Sequence, residues 1–172
     1  MRFFLPLFLF FFIISSPVIS EQKIVFVDMD RLVSVSKPGS SIFNQLKDIT
    51  NKNLNFLKKE EKKFKEKEKK LLAQKNIISE TDFKNKINEL KSEINDYNQN
   101  RNKMIKKFNK LKVESTNNLL NLVNPILAKY SKQNEISIIL KKKDLIIGKT
   151  ELDITDEIIK IINNEIKEFK IN

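Results

Sequence analysis

One stretch limits the possible folds more than any other. Stepping alternately by four and three residues from Phe83 meets Phe83, Ile87, Leu90, Ile94, Tyr97, Arg101, Met104, Phe108, Leu111, Ser115 and Asn118. Eight of these eleven positions are apolar, and the residues between them are almost all Lys, Asn, Glu, Asp or Gln. A heptad seam sustained over that length predicts one amphipathic helix across residues 83–127. Counted from Ser79 to Tyr130 it would be roughly 75 Å long at ~1.5 Å per residue. The mean globular helix has only ~11–12 residues. A stripe of that length needs a partner to cover it.

The preceding segment supplies the partner. From Ile42 to about Asn76, apolar residues recur at helical spacing: Ile42, Phe43, Leu46, Ile49, Leu54, Leu57, Phe64 and Leu71. Between Lys58 and Lys70 only Phe64 is apolar, so this part reads as a charged rod. Pairs such as Glu61–Lys65 and Glu66–Lys70 support it by only ~0.2–0.5 kcal/mol each. Pro38-Gly39 punctuates the chain upstream, and Ser40 or Ser41 is the expected cap of this helix. Asn76 to Ile78 reads as a tip, after which Ser79-Glu80-Thr81-Asp82 restarts the chain with a capping box. Two long helices joined by so short a tip must run antiparallel, so residues 42–123 are expected to form a projecting hairpin arm.

The flanks read as a small base, 23–41 with 124–172. Lys23 to Met29 is a β-branched and aromatic run with the composition of a buried strand, and Asp30 to Ser36 a helical turn. Pro125 is expected to kink the long helix near Asn121. Ile136 to Leu140 reads as a strand, 141–144 as a turn, and Leu145 to Ile147 as a further strand closed by Gly148. Asp153 is the expected cap of a last helix, with Asp156 at its third position. Ile126 and Leu127 are expected to pack in this base, whereas Leu71, near the tip, should contribute little. Three short strands and one helix bury too little to fold alone. Other copies of the chain are therefore expected to complete the base, through Ile24, Phe26, Ile136, Ile138, Leu140, Ile146 and Ile158.

Composition narrows the function. Arg2, the apolar run Phe3 to Ile14, and a small residue at Ser20 read as a secretory signal cleaved after Ser20. Twelve apolar residues are too few for a membrane span of ~20. The chain contains no Cys and no His, which excludes disulfides, thiolate metal sites and the commonest general base. No Gly-rich phosphate loop or nucleophile elbow is present, and the chain is read as a non-enzyme without a cofactor. Its net charge of +11 favours anionic partners. Lys103, Lys107 and Lys110 form one stripe, with Arg101 and Lys106 near it in sequence, set against the ordinary reading of a solvated helix face.

Several segments in this order resemble the Skp (OmpH-like) family of periplasmic chaperones. They are Ile24-Val25-Phe26-Val27-Asp28-Met29, the hairpin, Asn124-Pro125-Ile126-Leu127, the strand at Ile136 to Leu140, and Leu152-Asp153-Ile154-Thr155-Asp156-Glu157-Ile158-Ile159-Lys160. The resemblance implies a mostly α fold with a small β body, assembled as a homotrimer whose hairpins surround a cavity. It also implies a periplasmic holdase that keeps unfolded outer-membrane β-barrel proteins from aggregating, without ATP. A lipopolysaccharide or anionic-lipid site on the long helix follows from the same resemblance, with the 101–110 stripe as its candidate. Two other readings stand beside it. One is an envelope coiled-coil scaffold held by an uncleaved N-terminal anchor. The other is a basic coiled coil binding nucleic acid, which without base-reading residues would be non-specific.

Overall fold

The computed structural model describes residues 22–167 and 169–171. The proposed signal segment, 1–20, lies outside the described residues. In chain order the elements are strand β1 (Lys23–Val27), helix α1 (Met29–Val35), helix α2 (Lys37–Ala73), helix α3 (Glu80–Gln133), strand β2 (Ile136–Lys141) and helix α4 (Thr155–Glu165). The fold is mostly α with a small β part, as its sequence predicts. At ~1.5 Å per residue α2 and α3 are about 55 and 80 Å long.

The two arm helices begin with caps that their sequences encode. Ser79 Oγ accepts the Asp82 N–H at 3.0 Å and its hydroxyl donates to the Asp82 carboxylate at 2.7 Å. The expected cap of α2 is corrected. Ser36 takes that role, accepting from the Gly39 N–H at 3.3 Å, and Pro38-Gly39 lies within the first helical turn. Pro is tolerated there because a first-turn N–H has no intrahelical partner to lose. Gly39 is needed for a different reason. A Cβ at this position would stand 1.6 Å from the Val33 carbonyl oxygen, so α1 and α2 meet backbone against backbone.

Three cross-arm contacts align the antiparallel pair. Lys67 Nζ reaches Glu93 Oε1 at 2.6 Å, the Tyr97 hydroxyl donates to Glu61 at 2.9 Å, and the Phe64 and Tyr97 rings meet edge to face with centroids 5.4 Å apart. The seam follows the heptad as far as Ser115 and then departs from it. Buried positions step by fours through Ser115, Leu119 and Val123, then by three to Ile126, leaving Asn118 exposed. Consecutive four-residue steps rotate the stripe around the helix, so α3 turns from facing α2 to facing the base. It runs through Pro125 without ending.

The base is built around Val25, Val27, Leu32, Leu119, Val123, Ile158 and Ile162, all in one buried cluster. The sheet is two parallel strands, with Ile24 opposite Ile138 and Phe26 opposite Leu140. A register shift between Lys23 and Ile24 leaves Ser137 as an extra residue. That bulge lets both Ile136 and Ile139 turn towards the core despite their odd spacing. The third strand expected at Leu145 to Ile147 is absent. This stretch joins neither edge among the described residues: the side of β1 away from β2 is taken by Asp153, where the Ile154 N–H donates to the Phe26 carbonyl at 3.0 Å, and the outer edge of β2 stays free. The segment instead crosses Phe26, whose ring edge would stand 2.8 Å from a Cβ at Gly148.

α4 is tied on by polar contacts with distant sequence. The Asp28 N–H donates to Thr155 Oγ1 at 2.8 Å, and Arg31 pairs with Asp156 at 2.7 Å. Asp153 lies just before the helix, and Ile154 is the residue at the cap position, with no side-chain cap bond. Asp153 Oδ1 still accepts from the Thr155 N–H at 3.0 Å, as well as from its hydroxyl.

Candidate functional site

The hairpin leaves much of its apolar surface in contact with water. From Phe83 to Leu111 no apolar seam position of α3 is fully buried: Ile94 is exposed and the others are partly buried. A second apolar line lies outside the seam. Phe43, Leu54 and Leu72 of α2 are 65, 49 and 59 % exposed. They are spaced by 11 and 18 residues, almost whole numbers of turns at 3.6 residues per turn, so they share one flank. On α3 the seam residue Ile94 and the off-seam Ile105 repeat the 11-residue spacing and are also exposed.

These lines give the arm two unlike sides. On one, a groove of about 420 Å³ runs between the helices, lined by Phe64, Leu71, Leu72, Ile87, Leu90, Ile94 and Tyr97, with Glu61, Glu68, Lys65 and Lys91 among its polar lining residues. On the other, Glu60, Lys63, Lys67, Glu93 and Asp96 lie beside Phe56, and the Lys67–Glu93 ion pair bridges the helices. Within the groove side, Tyr97 is held above the ordinary tyrosine pKa of 10.0, first by burial and then by its bond to the Glu61 carboxylate. Leu71, expected to matter little so near the tip, is 7 % exposed and forms part of the floor. The heptad count finds the α3 wall of the groove, Ile87, Leu90, Ile94 and Tyr97, but not the exposed line through Phe43, Leu54 and Leu72. The 11- and 18-residue spacings are the signal that reveals it.

The basic stripe of α3 is partly gathered. At ~100° per residue, Lys103, Lys106, Lys107 and Lys110 share a face opposite the seam, and all four are exposed. Lys110 is engaged by Glu114 at 3.6 Å. Arg101 stands apart, on the seam side, where its charge acts on Tyr97.

The seven candidate assembly residues divide into two groups. Phe26, Ile136 and Ile158 are buried within the single chain: Ile136 and Ile158 belong to its core cluster, whereas the Phe26 ring lies against Gly148 and Lys142. Ile24, Ile138 and Leu140 are exposed, and Ile146 and Ile147 extend fully into solvent at 104 and 91 %. Beside them β2 has a free edge among the described residues. The Lys142 ammonium lies 5.9 Å from the centre of the Phe26 ring and bonds Asp153 at 2.9 Å. Burial raises the pKa of Asp153, but bonds from Thr155 and Lys142 outweigh it and hold the carboxyl below its ordinary value. A cavity of about 670 Å³ opens where α1, α3 and β2 converge, lined by Asn117, Asn121, Asn124, Lys141 and Lys143 with Met29 and Val33. Among the described residues no three His, Cys, Asp or Glu side chains gather as a metal site, and no helix is long and apolar enough to cross a membrane.

A long, partly uncovered helical hairpin on a small α/β base defines a class of elongated, arm-bearing proteins. Comparison gives the class a family. The family model described as Outer membrane protein (OmpH-like) matches residues 23–162, and the chain belongs to the OmpH-like family. A crystal structure from Caulobacter crescentus CB15, of a protein provisionally assigned as an outer membrane chaperone (OmpH-like), superposes with a TM-score of 0.83 at 17 % identity. The match covers 88 % of this chain and 89 % of that one. No curated protein sequence matches the chain.

Proposed function

We propose that this chain is an ATP-independent holdase of the periplasm, which binds unfolded outer-membrane β-barrel proteins between its arms and prevents their aggregation. The observation that carries this reading is the arm itself. Its seam is half-covered, and a second apolar line with an open groove runs along it. A scaffold coiled coil has reason to close its seam. A surface of many shallow apolar sites instead suits a partner that has no fixed shape and must be released without nucleotide. Membership of the OmpH-like family supports the same reading.

In this reading three copies join through the exposed base residues Ile24, Ile138, Leu140 and Ile146 and the free edge of β2, which needs covering. Residues 23–41 and 124–172 act as the body and 42–123 as the arm. The signal at 1–20 directs export. Without Arg2, the one charged residue of 1–20, the net charge of +11 becomes +10; it speeds capture of acidic chains by long-range attraction, and Lys103, Lys106, Lys107 and Lys110 offer an anionic lipid or lipopolysaccharide a place to dock.

The test is matched shortening of both arm helices. Deleting 65–71 together with 81–87 removes one heptad from each, about 10 Å of arm at ~1.5 Å per residue, and keeps the register set by Glu61, Phe64 and Tyr97. The base should still fold and assemble, as light scattering would show. Protection against aggregation should fall more for large unfolded barrels than for small ones, and salt raised from about 0.05 to 0.5 M should slow capture. Equal protection of all clients and no salt dependence would favour the scaffold reading. An intact Met1 in the exported protein, by mass spectrometry, would do the same.

A further inference from the structure

Beyond α4 the chain doubles back onto the base of the arm. Gln45 of α2 meets it with both ends of its carboxamide. Nε2 donates to the Phe169 carbonyl at 2.7 Å, and Oε1 accepts from the Ile171 N–H at 3.2 Å. Ser41 Oγ adds a second donor to the same Phe169 carbonyl at 3.0 Å. One acceptor and one donor offered to residues two apart is how a peptide group in a neighbouring parallel strand is satisfied. Phe169 and Ile171, on either side of Lys170, pack against the buried cluster. The three hydrogen bonds touch main chain alone, so they select an extended backbone and not a sequence. The tail also lies past residue 162, where the family match ends.

From this geometry we infer that Ser41 and Gln45 form a receptor for one extended apolar segment, with the chain's own tail as its resident occupant and an unfolded client segment as the competitor that displaces it. The inference rests on the holdase reading. The client chemistry fits because segments destined for β-barrels alternate apolar and polar residues with a period of two. That is the spacing of Phe169 and Ile171. Main-chain bonds at a strand-like edge give grip while alternate side chains settle into apolar surface. A short segment outside any helix or strand, held by a few bonds, is also among the first parts of a fold to open. With the tail docked, only the open fraction of molecules is competent at this site, so the apparent affinity for a client is lowered by that fraction.

The test uses the full-length exported chain and an unfolded β-barrel protein held in saturating excess, with the complex verified by size exclusion. Amide hydrogen exchange at Ile171 should accelerate at least tenfold when the client binds. A complex that forms with Ile171 protection unchanged overturns the displacement and leaves the holdase reading intact. No complex at all overturns both. A second arm uses a chain ending at Lys167, which should bind the client about tenfold more tightly, a gain that Gln45→Ala should abolish in the same background. No gain, or a gain that survives Gln45→Ala, overturns the inference.

Discussion

The base and the arm solve the burial problem in opposite ways. In the base, Leu32, Leu119, Val123, Ile158 and Ile162 are completely buried, drawn from α1, α3 and α4 across more than a hundred residues of sequence. Between Leu46 and Ser115 the one apolar side chain in the buried class is Leu71, near the tip, and the middle of the arm is held by one ring contact, one hydroxyl–carboxylate bond and one exposed ion pair. Two helices presenting single stripes cannot exclude water as a many-sided core does. The base therefore fixes a shape, while the arm is a long surface with little internal cohesion. Regions with few buried contacts open at lower free energy than the rest of a fold, and a binder of shapeless clients benefits from that.

The largest test of this contrast is truncation in each region. Ile158→Ala should cost about 4 kcal/mol, within the range for fully buried large-to-small changes. Leu90→Ala in the arm should cost less, about 2 kcal/mol, since that side chain is only partly buried. Urea unfolding of both variants measures the two values, and equal costs would erase the distinction. Next comes the joint between the regions. Gly39→Ala drives a Cβ into the Val33 carbonyl, and two backbones must separate, at about 3 kcal/mol. Gly148→Ala meets only the edge of the Phe26 ring, which can tilt, and should cost about 1 kcal/mol.

How far the sequence revealed these two regions follows from the range of the interactions involved. The hairpin, the Ser79 box, the positions of β1, β2 and α4, and the family were legible because periodicity, caps and β-branched runs are local. The Ser36 cap was not, since Pro38-Gly39 resembles a turn unless one knows that α1 presses a carbonyl against Gly39. Leu145 to Ile147 reads as a strand by composition, but the chain passes over the Phe26 ring at Gly148 instead of following the free edge of β2, and no local pattern encodes that path. The stripe's rotation after Ser115 depends on where the base lies. Of the assembly residues, Ile136 and Ile158 also serve the core of their own chain, and Phe26 is covered by its own Gly148 and Lys142. Arg101 belonged to the seam by count and stands apart from the lysine face. The tail's docking on Ser41 and Gln45 spans more than 120 residues, and no local pattern encodes it.

Extremes of pH should loosen the regions selectively. Asp153, which joins Lys142 and Thr155 at the base, has a depressed folded pKa. The stability it lends is present above its ordinary value of about 3.8 and is lost as pH falls through the folded value. Asp153→Asn should therefore flatten the acid limb of a stability–pH curve. Tyr97 has a raised folded pKa, so its contribution is present below about 10.0 and is lost as pH rises through the folded value. Tyr130, raised by burial and by Glu157, adds an alkaline component in the base. Tyr97→Phe should remove only the arm's share of that alkaline sensitivity, read from exchange of α2 and α3 amides above pH 10.

The smallest effect is the most exacting test of how the arm coheres. Lys67 and Glu93 are each about half-exposed, so solvent screens their attraction and ordering two long side chains offsets part of it. A double-mutant cycle with Lys67→Met and Glu93→Gln should yield a coupling of only about 0.5 kcal/mol, falling further in 0.5 M salt. The cycle should be repeated with Tyr97→Phe, which breaks the bond to Glu61 but keeps the ring against Phe64. If the arm is a loose surface, the two perturbations should add, because each contact acts without the other. A coupling above about 1.5 kcal/mol, or strong non-additivity with Tyr97, would mean that the middle of the arm is a cooperative network. Its rigidity would then approach that of the base, and the division between a fixed body and a yielding arm would fail at its centre.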